Sequence, residues 1–119
     1  MSSSASFESQ VVGGVLVIRV AGYLNSRLGL EIGKAVEELL DAGGRNVLLN
    51  FSAIKMLNSV GISSITSIVR RMADLQGHAA FCSLAGMNRE IFTTMGATRG
   101  VELFDSETEA LAWLDANPH

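Results

Sequence analysis

The chain has 119 residues, 48% of them apolar and 18% charged, which fits one folded domain with an ordinary core and excludes disorder as the main state. Twelve acids against nine bases give a net charge of −3, which argues against a nucleic-acid binder. No apolar run approaches the ~18 residues of a membrane span, the start MSSSASFESQ shows no secretory pattern, and the single cysteine, Cys82, fits a reducing, cytoplasmic setting.

Residues 1–6 are small and polar and read as a disordered tail, leaving 7–116 as the domain. Phe7 to Val12 reads as a strand, Gly13-Gly14 as a tight turn, and Val15 to Ala21 as the returning strand. After Gly22-Tyr23-Leu24-Asn25, a helical stripe follows: Leu28, Ile32, Ala35, Val36, Leu39 and Leu40. Gly43-Gly44 supplies its stop. Val47 to Phe51, broken only by Asn50, suits a strand covered on both faces. Ser52 to Leu57 reads as a connector, and a second helix begins near Asn58 or Ser59. Its stripe is Ile62, Ile65, Val69 and Met72, widened by Ile68 and Leu75, with Ser63, Ser64 and Ser67 mostly toward solvent and Gly77 at its end. Ala79 to Leu84 is a strand, Met87 to Met95 a short helix stopped by Gly96, and Val101 to Phe104 the last strand. Ser106 and Glu109 form a capping box for a final helix.

The order β-β-α-β-α-β-α-β-α predicts an α/β fold: a mixed, mostly parallel sheet with an N-terminal hairpin and flanking helices. Strand order is not readable from it.

Catalytic equipment is thin. Two histidines and one cysteine, far apart in sequence, do not supply a zinc set, so no metal is expected. His78 reads as a surface residue at a strand start, and Cys82 as core. No phosphate-binding glycine loop is present, and no cofactor is expected. A nucleophile–base pair is not evident, so the chain does not read as an enzyme.

The informative segment is NFSAIKMLNSVGI, Asn50 to Ile62. It sets Asn58, Ser59 and Gly61 where a helix starts at the carboxyl end of a strand, the edge at which open α/β sheets tend to hold their sites. Capping alone accounts for Asn-Ser before an apolar stripe. A serine there also stands beside unpaired backbone N–H groups and the positive end of the helix dipole, so it would tolerate a phosphate well.

Across residues 7–116 the chain resembles a STAS domain of the bacterial anti-sigma factor antagonist type. The likeness is carried by the opening hairpin, Gly22-Tyr23-Leu24-Asn25, Asn50-Phe51-Ser52, Asn58-Ser59-Val60-Gly61-Ile62, and Phe104 with Glu109-Ala110-Leu111. The resemblance implies a binding module that docks an anti-sigma factor serine kinase, is switched off by phosphorylation of Ser59, and is reset by a phosphatase. It implies partner contacts at Asn25, Asn58, Ser59 and Gly61, with Ser63 and Ser67 on the exposed side of the helix. The alternative it leaves open is a non-phosphorylated STAS subunit of a larger assembly, a stressosome-like complex or a lipid-transport ATPase. Members typically carry aspartate where this chain has Asn25, Asn50 and Asn58, so three negative charges are expected to be missing near the site.

Overall fold

The computed structural model describes residues 6–117. Its elements are β1 (Ser6–Val12), β2 (Val15–Leu24), α1 (Ser26–Asp41), β3 (Asn46–Leu57), α2 (Ser59–Asp74), β4 (His78–Cys82), α3 (Gly86–Thr94), β5 (Glu102–Phe104) and α4 (Glu107–Ala116). The order is the one the sequence predicts. Ser6 opens β1 rather than ending a tail, while the rest of the proposed tail and His119 lie outside the described residues.

The strands lie in the order β1-β2-β3-β4-β5. β1 runs antiparallel to β2, and every later pairing is parallel. Gly13 and Gly14 both hold positive φ, 55° and 83°, which is what a two-residue hairpin turn between twisted strands requires.

Alternation along the strands divides the core in two. Ile18, Val20, Val47, Leu49, Phe51 and Phe81 face α1, α2 and α3, while Val15, Val17, Leu48, Ala80 and Cys82 face Ala110 and Leu114 of α4. Cys82 is therefore core, as its sequence context suggests, and burial pushes its thiol pKa up. His78 is half-buried, not a plain surface residue: its ring stands edge-on to Trp113, with centroids 5.6 Å apart.

Several boundaries differ from the sequence reading: β4 spans His78–Cys82 rather than Ala79 to Leu84, the chain turning at Ser83 (φ 62°), and others shift for tertiary reasons. β2 continues to Leu24, and Ser52 to Leu57 is not a connector but the second half of β3. The two extensions pair with each other, Ala21 with Ala53 through Leu24 with Leu57, with one register shift just before this stretch and one within it. The left-handed residue that closes α2 is Gln76 (φ 62°) rather than a glycine, and Gly77 completes the close. The Gly77 N–H bonds the Met72 carbonyl at 2.8 Å, and a Cβ there would strike the Arg45 carbonyl. Ser64 is half-buried rather than solvent-facing, because it packs on Gly29 of α1, where a Cβ would stand 2.5 Å from that of Ser64.

Candidate functional site

β2 and β3 end side by side, so the two helices that follow them start side by side. The Asn58 N–H donates to the Leu24 carbonyl at 3.1 Å, which ties the two strand ends together. Asn25 caps α1, its Oδ1 accepting from the Leu28 N–H at 2.9 Å. Asn58 caps α2 in the same way, accepting from the Gly61 N–H at 2.8 Å. The Asn58 amide is turned by a second bond, from Nδ2 to the Tyr23 hydroxyl at 3.0 Å. Tyr23 was not singled out in the sequence. Its only signal there is its place in the Gly22–Asn25 step, and its reach to Asn58 depends on β2 lying beside β3.

Ser59 is the first residue of α2 and is exposed. Its hydroxyl makes no hydrogen bond among the described residues. The backbone N–H groups of this first turn lack intrahelical partners, and the positive end of the helix dipole lies there. Ser63 and Ser67 follow at successive turns on the same stripe, both exposed, with the Ser67 Oγ donating to the Ser63 carbonyl at 3.2 Å. Val60 and Met56 add apolar surface next to Ser59, 54% and 61% exposed. Between Asn46 and Val69 the only charged residue is Lys55, which is exposed.

Gly61 plays a different part from the surface residues. It is buried, and a Cβ there would run into the Leu24 carbonyl oxygen, with the Leu24 carbon at 2.7 Å and the Asn25 nitrogen at 3.0 Å. Its lack of a side chain lets α2 start directly against the end of β2. It shapes the rim without presenting surface of its own.

Asn50 does not belong to this rim. It lies seven residues before Leu57 in β3, and its Nδ2 donates to Glu107 Oε2 of α4 at 2.7 Å. The same carboxylate takes two bonds from Arg19 of β2, at 2.7 and 3.0 Å. Glu107 thus clamps α4 to the sheet. Ser106 caps α4: the Glu109 N–H donates to Ser106 Oγ, although Glu109 Oε1 reaches back to the Asp105 N–H rather than to that of Ser106.

The Arg19 hydrogen bonds hold the Glu107 carboxyl below the usual range. Partial burial opposes them, while Asn50 and the charge of Arg19 add to the lowering. The folded value being lower than the unfolded one, the clamp's contribution is present above the ordinary glutamate pKa near 4.5 and is lost as pH falls through the folded value. Asn50→Asp exchanges a donor for a second carboxylate against Glu107. It is expected to lower stability by about 1–2 kcal/mol at pH 7. The deficit should shrink as pH falls and one proton comes to bridge the pair. Urea midpoints at pH 7 and pH 5 measure this, and an equal deficit at both would contradict it.

Among the described residues no cluster of histidine, cysteine and acids is arranged to hold a metal, and no helix is long and apolar enough to cross a membrane.

A mixed sheet whose carboxyl rim carries two asparagine-capped helix starts and a displayed serine makes an α/β domain with a candidate site at that rim. The chain belongs to the STAS domain family, whose sequence model matches residues 6–110. BtrV of Bordetella bronchiseptica, described as a putative anti-sigma factor antagonist, is 24% identical over 85 residues, 71% of this chain and 73% of its own length. The anti-sigma factor antagonist SpoIIAA in its unphosphorylated form superposes with a TM-score of 0.78 at 19% identity, over 92% of this chain and 98% of the other. The phosphorylated form of SpoIIAA, from Bacillus, gives 0.75 at 19% identity over 92% and 99%. The α/β architecture with its N-terminal antiparallel hairpin is thus that of the STAS fold.

Proposed function

We propose that this domain is an anti-sigma factor antagonist, a cytoplasmic binding module rather than an enzyme. Its carboxyl rim docks an anti-sigma factor serine kinase, and phosphorylation of Ser59 by that kinase releases it until a phosphatase resets it. The observation that carries this reading is the placement of Ser59: exposed, without a side-chain hydrogen bond among the described residues, at the start of α2.

The electrostatics suit a switch. A phosphate adds about −1.5 to −2 of charge. The N–H groups of Ser59 and Val60, which the Asn58 cap leaves open, can donate to it within this chain. A partner resting on Val60 and Met56 would face that charge across an interface where Lys55 is the one cation between Asn46 and Val69 and Arg27 of α1 is already paired with Glu31. Asn25 and Asn58 are neutral caps, so the rim starts without their carboxylates and the phosphate supplies the change of sign. Ser63 and Ser67 extend the contact stripe along α2, and Gly61 supports it from beneath.

Incubation with the anti-sigma serine kinase of the same genome and ATP should add one phosphate to the intact mass, and Ser59→Ala should take up none. Phosphate persisting in Ser59→Ala would move the acceptor elsewhere. Ser59→Asp should weaken kinase binding by at least ~1 kcal/mol, because a charge buried without a partner is costly. Unchanged affinity on titration calorimetry would defeat the docking assignment. Tight binding with no phosphate transfer would instead mark a STAS subunit that docks without switching.

A further inference from the structure

Gly33 lies in the interior of α1, outside the left-handed region, and a Cβ built on it meets no heavy atom within 4 Å. Neither backbone conformation nor packing calls for glycine there, and glycine weakens a helix interior relative to alanine. Gly29, one turn earlier, is accounted for by its contact with Ser64. What Gly33 leaves is space. It lines an open groove of about 680 Å³ between α1 and α2, walled also by Leu30, Val36, Ser64, Ser67 and Ile68. Leu30 is 61% exposed.

The charges around this groove are specific. Arg71 and Glu37 also line it, bonded to each other at 2.8 and 3.2 Å and so neutralised. Lys34 and Glu38, one turn apart on α1, edge the groove and enter no ion pair among the described residues. The edge therefore offers one cation and one anion around a mostly apolar trough. Ser67 lies both in the groove and on the Ser59–Ser63 stripe, so the groove continues the docking face.

We infer that this groove receives a bulky apolar side chain of the kinase docked over Ser59, flanked on the kinase by an acid and a base that meet Lys34 and Glu38. The inference rests on the antagonist reading above. A fatty chain fits less well, since the trough is open and the Arg71 guanidinium is already occupied by Glu37. Gly33 is then a specificity-determining position whose missing side chain keeps the space for the partner.

The test titrates isotope-labelled full chain with the unlabelled anti-sigma serine kinase of its own genome, and measures Kd by calorimetry for wild type, Gly33→Ala and Gly33→Leu. The Gly33 amide and Ile68 methyl signals of the wild type should shift. Gly33→Leu should melt no lower than wild type and lose at least about ten-fold in affinity, and Gly33→Ala about two- to three-fold. If kinase binds wild type and Gly33→Leu equally, or leaves the Gly33 amide unmoved, the groove inference fails while the docking reading stands. If no kinase binds wild type, both fall. Should Gly33→Leu unfold, the wild-type shifts and Gly33→Ala decide. Shifts at Gly33 produced by raising the protein's own concentration, or by added oleate but not by kinase, would give the groove to a second copy or to a lipid and overturn the inference.

Discussion

Phe92→Ala is expected to lower the stability of the domain by about 3–5 kcal/mol. Phe92 is fully buried and is the residue through which α3 enters the core. Its ring meets Phe51 at 5.1 Å and Phe81 at 6.0 Å, and those two meet each other at 5.0 Å, all edge-on. Phe92 is the one buried residue of α3, with Ile91 packed partly beside it. The helix has nine residues, too few to persist alone, and Ala85 at its start provides no side-chain cap. Domains of this size are stable by about 5–15 kcal/mol, so the loss would leave the variant marginal. Urea unfolding should show a lower midpoint at an unchanged slope, because the surface exposed on unfolding stays nearly the same. Phe92→Leu retains most of the volume and should lose less, about 1.5 kcal/mol. A deficit under ~1 kcal/mol in Phe92→Ala would mean that the three rings do not pack as described. Since α2 rests on its own stripe of Ile62, Ile65, Val69 and Met72, Phe92→Leu should leave phosphorylation of Ser59 intact.

What the sequence made legible was whatever is decided locally. The Asn58 cap, the apolar stripe of α2 and the stop of α1 at Gly43-Gly44 are each encoded within a few residues, so α2 and the exposure of Ser59 could be read directly. The opening hairpin was legible for the same reason: two adjacent glycines are both the turn and its signature. The second half of β3 was not. Its burial is one-sided and irregular, and it is a strand because β2 runs on beside it, through register shifts that leave no periodic trace. Arg19 and Glu107 stand 88 residues apart, so the clamp on α4 had no local signal. It also changes the meaning of Asn50. By position in the motif Asn50 looked like a charge missing from the docking rim, whereas it is a donor to a carboxylate on the other side of the sheet. Of the three asparagines, only Asn25 and Asn58 bear on the site.

The meaning of Gly61 depends on strand order as well, and Gly61→Val should expose it. The substitution is expected to cost about 2–3 kcal/mol. The atoms a Cβ would meet, the carbonyl of Leu24 and the nitrogen of Asn25, are backbone and cannot rotate aside. The start of α2 must therefore move off the end of β2, weakening the bond from the Asn58 N–H to the Leu24 carbonyl and the cap that depends on it. Hydrogen exchange should quicken at Asn58 and Ile62 before the rest of α2, and kinase binding should fall further than the loss of folded protein explains, because Ser59 is displaced with the cap. Gly61→Ala should move the same way by a smaller amount, the clash outweighing the gain in helix propensity. Gly33→Ala is the control: the same exchange in α1, where a Cβ meets nothing, should stabilise the fold by about 1 kcal/mol. Intrinsic propensity favours alanine at both helix positions, so opposite signs at the two glycines can come only from what lies around them. If Gly61→Ala also stabilised the domain, the close approach of α2 to β2 would be wrong, and with it the geometry that brings Ser59 to the rim.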